Sequence, residues 1–163
     1  MTTETVQFGV FTPRRCNMGV ALDLVDGVAA KLNETSFGTS TVVRALLPEI
    51  TKKGLTPTIL VALTGKESFE LDRANESIKY KVAVGLNYPI TDDSQLDDGM
   101  NMIEDIQDWI CLRENRKIVT PSGTFSLLQP VEMEAPFDSS MVQEASIFFS
   151  VINLTYTFYK DRT

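Results

Sequence analysis

Ser77-Ile78-Lys79-Tyr80-Lys81-Val82-Ala83-Val84-Gly85-Leu86 changes side-chain character at every step. Ile78, Tyr80, Val82, Val84 and Leu86 fall on one side, and Lys79, Lys81, Ala83 and Gly85 on the other. A period of two with one apolar side predicts a half-buried antiparallel strand. Upstream, Thr58-Ile-Leu-Val-Ala-Leu-Thr64 is β-rich, with Ile59, Val61 and Leu63 on one face. Downstream, Ala145 to Tyr159 is the longest β-prone run, closing with Leu154, Tyr156 and Phe158 on one face and Thr155 and Thr157 on the other. Three such segments imply an antiparallel sheet at the centre of the fold.

Two stretches have the other period. From Asn17 to Glu34 the apolar positions Val20, Ala21, Leu24, Val25, Val28, Ala29 and Leu32 form one helical stripe, with Asn17 as N-cap. Gly27 inside this helix costs about 1 kcal/mol against alanine, which points to close packing on a neighbour. A second helix is predicted from Gln95 to about Asn115, after the capping cluster Asp92-Asp93-Ser94. Its acidic first turns suit the positive end of the helix dipole. Thr41 to Leu47 reads as a strand stopped by Pro48. Lys117–Thr120, a Pro121-Ser122-Gly123 turn and Thr124–Gln129 read as a hairpin. Pro130 and Pro136 confine any strand between them to a short or edge position. The order α, β, β, β, α, β(β), β predicts one α+β domain: an antiparallel β-sheet with two helices packed on one face. Residues 1–16 are read as an extended N-terminal arm, 17–159 as the core and 160–163 as a tail.

Between the strands ending at Thr64 and starting at Ser77 lies Gly65-Lys66-Glu67-Ser68-Phe69-Glu70-Leu71-Asp72-Arg73-Ala74-Asn75-Glu76. Hairpin loops usually run two to five residues, so a largely polar stretch of twelve predicts a loop that is either mobile or used for binding. Phe69 and Leu71 are apolar residues that a purely solvated loop does not need. Lys66, Glu67, Phe69, Leu71, Asp72 and Arg73 are therefore the candidate partner-contact residues.

Composition narrows the chemistry. The 163 residues hold no histidine, two cysteines, 15 Lys+Arg and 22 Asp+Glu, for a formal charge of −7. Without histidine there is no Ser-His-Asp or Cys-His catalysis and no His-ligated metal. Cys16 and Cys111 stand alone, with no C-x-x-C. The acidic set Asp92, Asp93, Asp97, Asp98, Glu104, Asp105 and Asp108 lacks EF-hand spacing and reads as a capped, solvated helix face. Lys79 and Lys81 read as a solvent-facing strand side, and no phosphate-binding glycine loop is present. The expectation is no enzyme, no catalytic residue, no cofactor and no metal. The acidic balance speaks against phosphate-contacting DNA or anionic-membrane binding. No signal sequence or membrane span is apparent, which gives a cytosolic expectation.

The order of elements carries a resemblance. Asp23-Leu-Val-Asp-Gly-Val-Ala-Ala-Lys-Leu32 leads into strands, with Pro57-Thr-Ile-Leu-Val61 before the charged hairpin and Tyr80-Lys-Val-Ala-Val84 after it. Met100-Asn-Met-Ile-Glu-Asp-Ile-Gln-Asp-Trp109 follows, and Phe149-Ser-Val-Ile-Asn-Leu-Thr-Tyr-Thr-Phe158 closes the pattern. Over residues 17–159 the chain resembles the tail terminator and tail completion (neck) proteins of long-tailed bacteriophages. The arm 1–16 and the segment 130–136 depart from that pattern. The resemblance implies a structural virion protein at the tail–head junction, assembled in the host cytoplasm. It would form a ring with copies of itself, usually a hexamer in such families, capping the tail tube protein and meeting the head connector or completion protein. DNA would pass through the lumen without specific binding, which an acidic surface favours. Another head–tail joining or minor virion protein, and a non-viral protein-binding module, remain open alternatives.

Overall fold

A computed structural model describes residues 18–35, 37, 41–44, 57–70, 75–128, 131, 142–143 and 146–161. Two helices and a six-stranded mixed sheet form an α+β fold. In chain order the elements are α1 (Met18–Glu34), β1 (Thr41–Arg44), β2 (Thr58–Glu70), β3 (Asn75–Pro89), α2 (Asp93–Cys111), a 3-10 turn Arg113–Asn115, β4 (Lys117–Thr120), β5 (Gly123–Leu127) and β6 (Ile147–Asp161). The strands lie in the order β1-β2-β3-β6-β5-β4.

The sheet is not wholly antiparallel, as the alternation alone implied. β1 runs parallel to β2, pairing Thr41 with Thr58 and Arg44 with Val61, while every other pairing is antiparallel. A parallel pair needs a crossover of about a dozen residues, and the chain between Arg44 and Thr58 has that length. Nothing in the four residues of β1 specifies direction. The predicted strand continued to Leu47, and positions 45–47 lie outside the described residues, as do Asn17, Cys16, the arm 1–16 and most of segment 130–136.

The second correction concerns the hairpin. The twelve residues read as a loop belong mostly to strands: β2 runs on to Glu70, β3 starts at Asn75, and only 71–74 lie between. Pairing continues through Gly65↔Lys81, Glu67↔Lys79 and Phe69↔Ser77, after a register shift between Leu63 and Gly65. This bulge adds one residue to β2, so the face carrying Ile59, Val61 and Leu63 goes on through Lys66 and Ser68. The even spacing of apolar residues ends there because the strand leaves the core, not because the ladder stops. β6 backs the extension along its whole length, from Pro89↔Ile147 to Asn75↔Asp161.

The stripe of α1 is buried as its spacing required: Leu24, Val25, Val28 and Leu32 are in the core, and Val20, Ala21 and Ala29 pack against it. Gly27 meets β4 so closely that a Cβ there would stand 2.6 Å from Ile118 Cγ2. Asp26 bridges to Arg44 of β1 at 2.9 Å, and Lys31 donates to the carbonyls of Glu114 and Lys117 at 3.1 and 3.0 Å. One helix thus touches both outer strands of the sheet. α2 ends earlier than predicted, at Cys111, where Leu112 turns extended and its N–H returns to the Trp109 carbonyl. Asp92 is its N-cap, accepting from the Gln95 N–H at 3.2 Å. Its core side holds Gly99, Ile103, Ile106 and Ile110.

On β3 the predicted apolar side is fully buried, from Ile78 through Tyr80, Val82, Val84 and Leu86. The opposite side departs from a simple half-buried strand. Lys79 and Lys81 reach solvent, but Ala83 is buried beside the buried Ala62. The central strands are therefore covered on both sides near 82–87, and one side opens only toward the hairpin.

An aromatic group closes the core near that opening: Tyr80 meets Phe125 edge-on at 5.7 Å, and Phe125 stacks on Phe158 at 4.9 Å. Burial, with a smaller contribution from the Glu76 charge, pushes the Tyr80 phenol above its usual range. Burial pushes the Tyr156 phenol further in the same direction. Below about pH 10 both phenols are neutral in the unfolded chain; above it the unfolded chain gives up these protons before the folded one does, so stability falls as pH rises. Urea unfolding between pH 8 and 11 should show that decline, and Tyr80→Phe/Tyr156→Phe should flatten it.

Candidate functional site

The side of the sheet opposite Tyr80 and Tyr156 is open toward the hairpin end. Strand pairing draws one unbroken row across five strands there: Glu67 beside Lys79, Lys79 beside Thr157, Thr157 beside Ser126, and Ser126 beside Lys117. Directly paired residues share a face, so these five side chains form one line across the sheet. The neighbouring row holds Gly65, Lys81 and Thr155. Three lysines and one carboxylate thus face outward in a chain of net charge −7.

Glu67 and Lys81 form an ion pair at 2.8 Å. The hydrogen bond from Lys81, reinforced by its charge, holds the Glu67 carboxyl below the usual carboxylate range. The pair is present above that range and lost as pH falls through the lowered value. Both groups are about half exposed, so the pair orders side chains more than it stabilises the fold. The Thr64 hydroxyl donates to the Lys81 carbonyl at 3.2 Å, across the bulge. Together with Lys79, Asn153, Thr155 and Leu128, these residues line an open cleft of about 470 Å³.

On the next row toward the hairpin tip, exposure becomes apolar. Tyr159, opposite Ser77, is 68% exposed, and Val119, opposite Thr124, is 80% exposed. The register of β5 on β6 carries Thr124 to the level of Tyr159, consistent with Phe125 stacking on Phe158 one position away. Phe69 occupies the same row on β2, opposite Ser77. A large exposed aromatic and an exposed valine on a flat sheet face are what protein contact surfaces use.

The six candidate contact residues separate accordingly. Glu67 lies on the open face. Lys66 lies on the other, with its ammonium 5.8 Å from the centre of the Tyr80 ring. Phe69 belongs to β2, and Leu71, Asp72 and Arg73 lie outside the described residues. Reading by element missed Lys79, Lys81, Lys117, Val119 and Tyr159 as one surface. Their only sequence signal was alternation, and Lys117 is nearly forty residues from Lys79. Ser68 and Glu76 hydrogen-bond across the hairpin extension.

Among the described residues no group of three or more His, Cys, Asp or Glu is placed to hold a metal ion. Nor is any helix there long and apolar enough to cross a membrane. Compared with known proteins, the chain matches no family model and no curated sequence.

Proposed function

We propose that the chain is a structural assembly subunit of the tail-terminator kind, forming a ring that caps a phage tail tube and joins it to the head connector. The observation that carries this reading is the open sheet face, where Val119 and Tyr159 stand exposed beside an outward lysine row. A ring needs heterologous contacts, and these require two unlike patches on each subunit. Both helices are read as backing the face of Tyr80 and Tyr156, which leaves the opposite face for a neighbour. The resemblance over residues 17–159 supplies the ring and its place in the virion, and the net negative charge suits a lumen that passes DNA without retaining it.

Native mass spectrometry and negative-stain imaging of the purified chain over a range of concentrations test this. The expected result is a closed ring with a central hole. A strict monomer at the highest concentration is the result that overturns it.

A further inference from the structure

We infer that the lysine row on the open sheet face is the docking site for helix α2 of a second copy of this chain. The inference rests on the ring reading and names the two surfaces that would build it.

The occupant is chosen by charge and by length. α2 presents Asp97, Asp98, Glu104, Asp105 and Asp108 to solvent, and at 100° per residue they share roughly a third of the helix circumference. None of them forms an ion pair among the described residues. The side opposite these acids is the one buried through Ile103, Ile106 and Ile110. The acidic stripe is thus presented outward on a rigid element, with no ion pair to it among the described residues.

The sheet supplies the complement. Lys79 and Lys117 belong to one row and are separated by three strand spacings, about 14 Å at 4.8 Å each. Asp97 and Asp108 are eleven residues apart, about 16 Å along a helix rising 1.5 Å per residue. A helix laid across the strands therefore meets a lysine near each end of its stripe. Between the two lysines the row holds only Thr157 and Ser126, small side chains that leave room for a helix to approach. Lys81 beside the row is already paired with Glu67 at 2.8 Å, so Lys79 and Lys117 are the cations the helix meets, and Val119 and Tyr159 provide an apolar border. Leu112, 47% exposed just beyond the end of α2, is an apolar group at the matching end of the helix.

The geometry is also heterologous. Gly99 of α2 seats on Phe148, which by strand alternation faces the side of Ile152 and Tyr156, away from Lys79 and Thr157. The helix of a subunit cannot reach its own lysine row, so each row can take only a neighbour's helix, and each neighbour leaves its own row open for the next.

Two charge-reversal variants of the full chain test this. Lys79→Glu/Lys117→Glu reverses the row, and Glu104→Lys/Asp108→Lys reverses the C-terminal half of the helix, where cations also suit the dipole. Circular dichroism and thermal melts verify folding; if the glutamate pair fails to fold, Lys79→Gln/Lys117→Gln is read in its place. Each variant alone should raise the concentration needed for ring formation by at least about tenfold. Mixed together, the two should form alternating rings, because the acidic helix of one variant meets the lysine row of the other and the reversed helix meets the reversed row, while each variant's contact with its own kind stays repulsive. A single chain carrying all four substitutions should form rings again. Raising salt should weaken wild-type rings. Rings that persist in the row variant at wild-type concentrations overturn the docking site and leave the ring reading standing. A wild-type chain that stays monomeric overturns the ring reading and the docking together.

Discussion

Phe125→Ala should destabilise the protein by about 3–5 kcal/mol, the range for removing a fully buried aromatic ring. Phe125 has no exposed surface and stands between Tyr80 and Phe158, edge-on to one and stacked on the other. Its removal costs the transfer energy of the ring, both aromatic contacts and a cavity that rigid strands cannot collapse. The neighbours cannot move in easily, because Tyr80 and Phe158 sit on β3 and β6, which are paired along their whole lengths. With total stability in the usual range of about 5–15 kcal/mol, this is a large fraction of the whole. Urea denaturation should show a lower midpoint, and melting should show a Tm drop on the order of 10 °C. Phe125→Leu should recover part of the loss. A wild-type midpoint for Phe125→Ala would mean that this aromatic group is not where the sheet is held.

Gly99→Val should cost about 2–3 kcal/mol, although valine is the slightly better helix former. A Cβ at position 99 would stand 2.9 Å from both Cγ and Cδ1 of Phe148. Those atoms begin an aromatic ring that is itself fully buried, so they cannot swing away as the end of a flexible chain would. The helix must lift from β6, and Ile103 and Ile106 lose contact with it. Gly99→Ala should be destabilising by less, because the gain in helix propensity of about 1 kcal/mol offsets part of the overlap. The combination Gly99→Ala/Phe148→Leu should be less damaging than the two separate losses summed, since the smaller side chain makes room for the methyl group. Strict additivity in urea denaturation would show that the two residues do not share the contact.

These effects indicate how much could be read before the coordinates. The burial of Leu24, Val25, Val28 and Leu32 follows from a stripe with a period of 3.6, and that of Ile78, Tyr80, Val82, Val84 and Leu86 from a period of two. Gly27 was legible as a close approach because glycine inside a strong helical pattern needs a reason, and Ile118 at 2.6 Å from a built Cβ is that reason. The matching close approach of Gly99 to Phe148 emerged only from the tertiary structure. Asp92 was legible as a cap because a short acidic side chain before a helix has an N–H within reach.

The hairpin was not legible, and the reason is specific. Strand signals in sequence are signals of burial on one face, and Lys66, Glu67 and Ser68 are exposed. What holds it in the ladder is a third strand, β6, whose partner positions lie eighty residues away, together with a bulge that shifts the pattern by one. The direction of β1 was hidden for a related reason: four residues carry a β preference but no polarity. The candidate surface was hidden most deeply. Glu67, Lys79, Thr157, Ser126 and Lys117 come from five strands and become neighbours only through register.

The sequence by itself therefore determined which residues are apolar enough to be inside, where the two helices lie, and that no histidine chemistry operates in this chain. Those are properties of composition and local period, and each is set by free energies acting within a few residues. Tertiary structure alone decided the parallel edge strand, the extended hairpin and the lysine row. Each depends on which distant segments pair and in what register, and register is decided by the summed burial of whole faces rather than by any residue in the row.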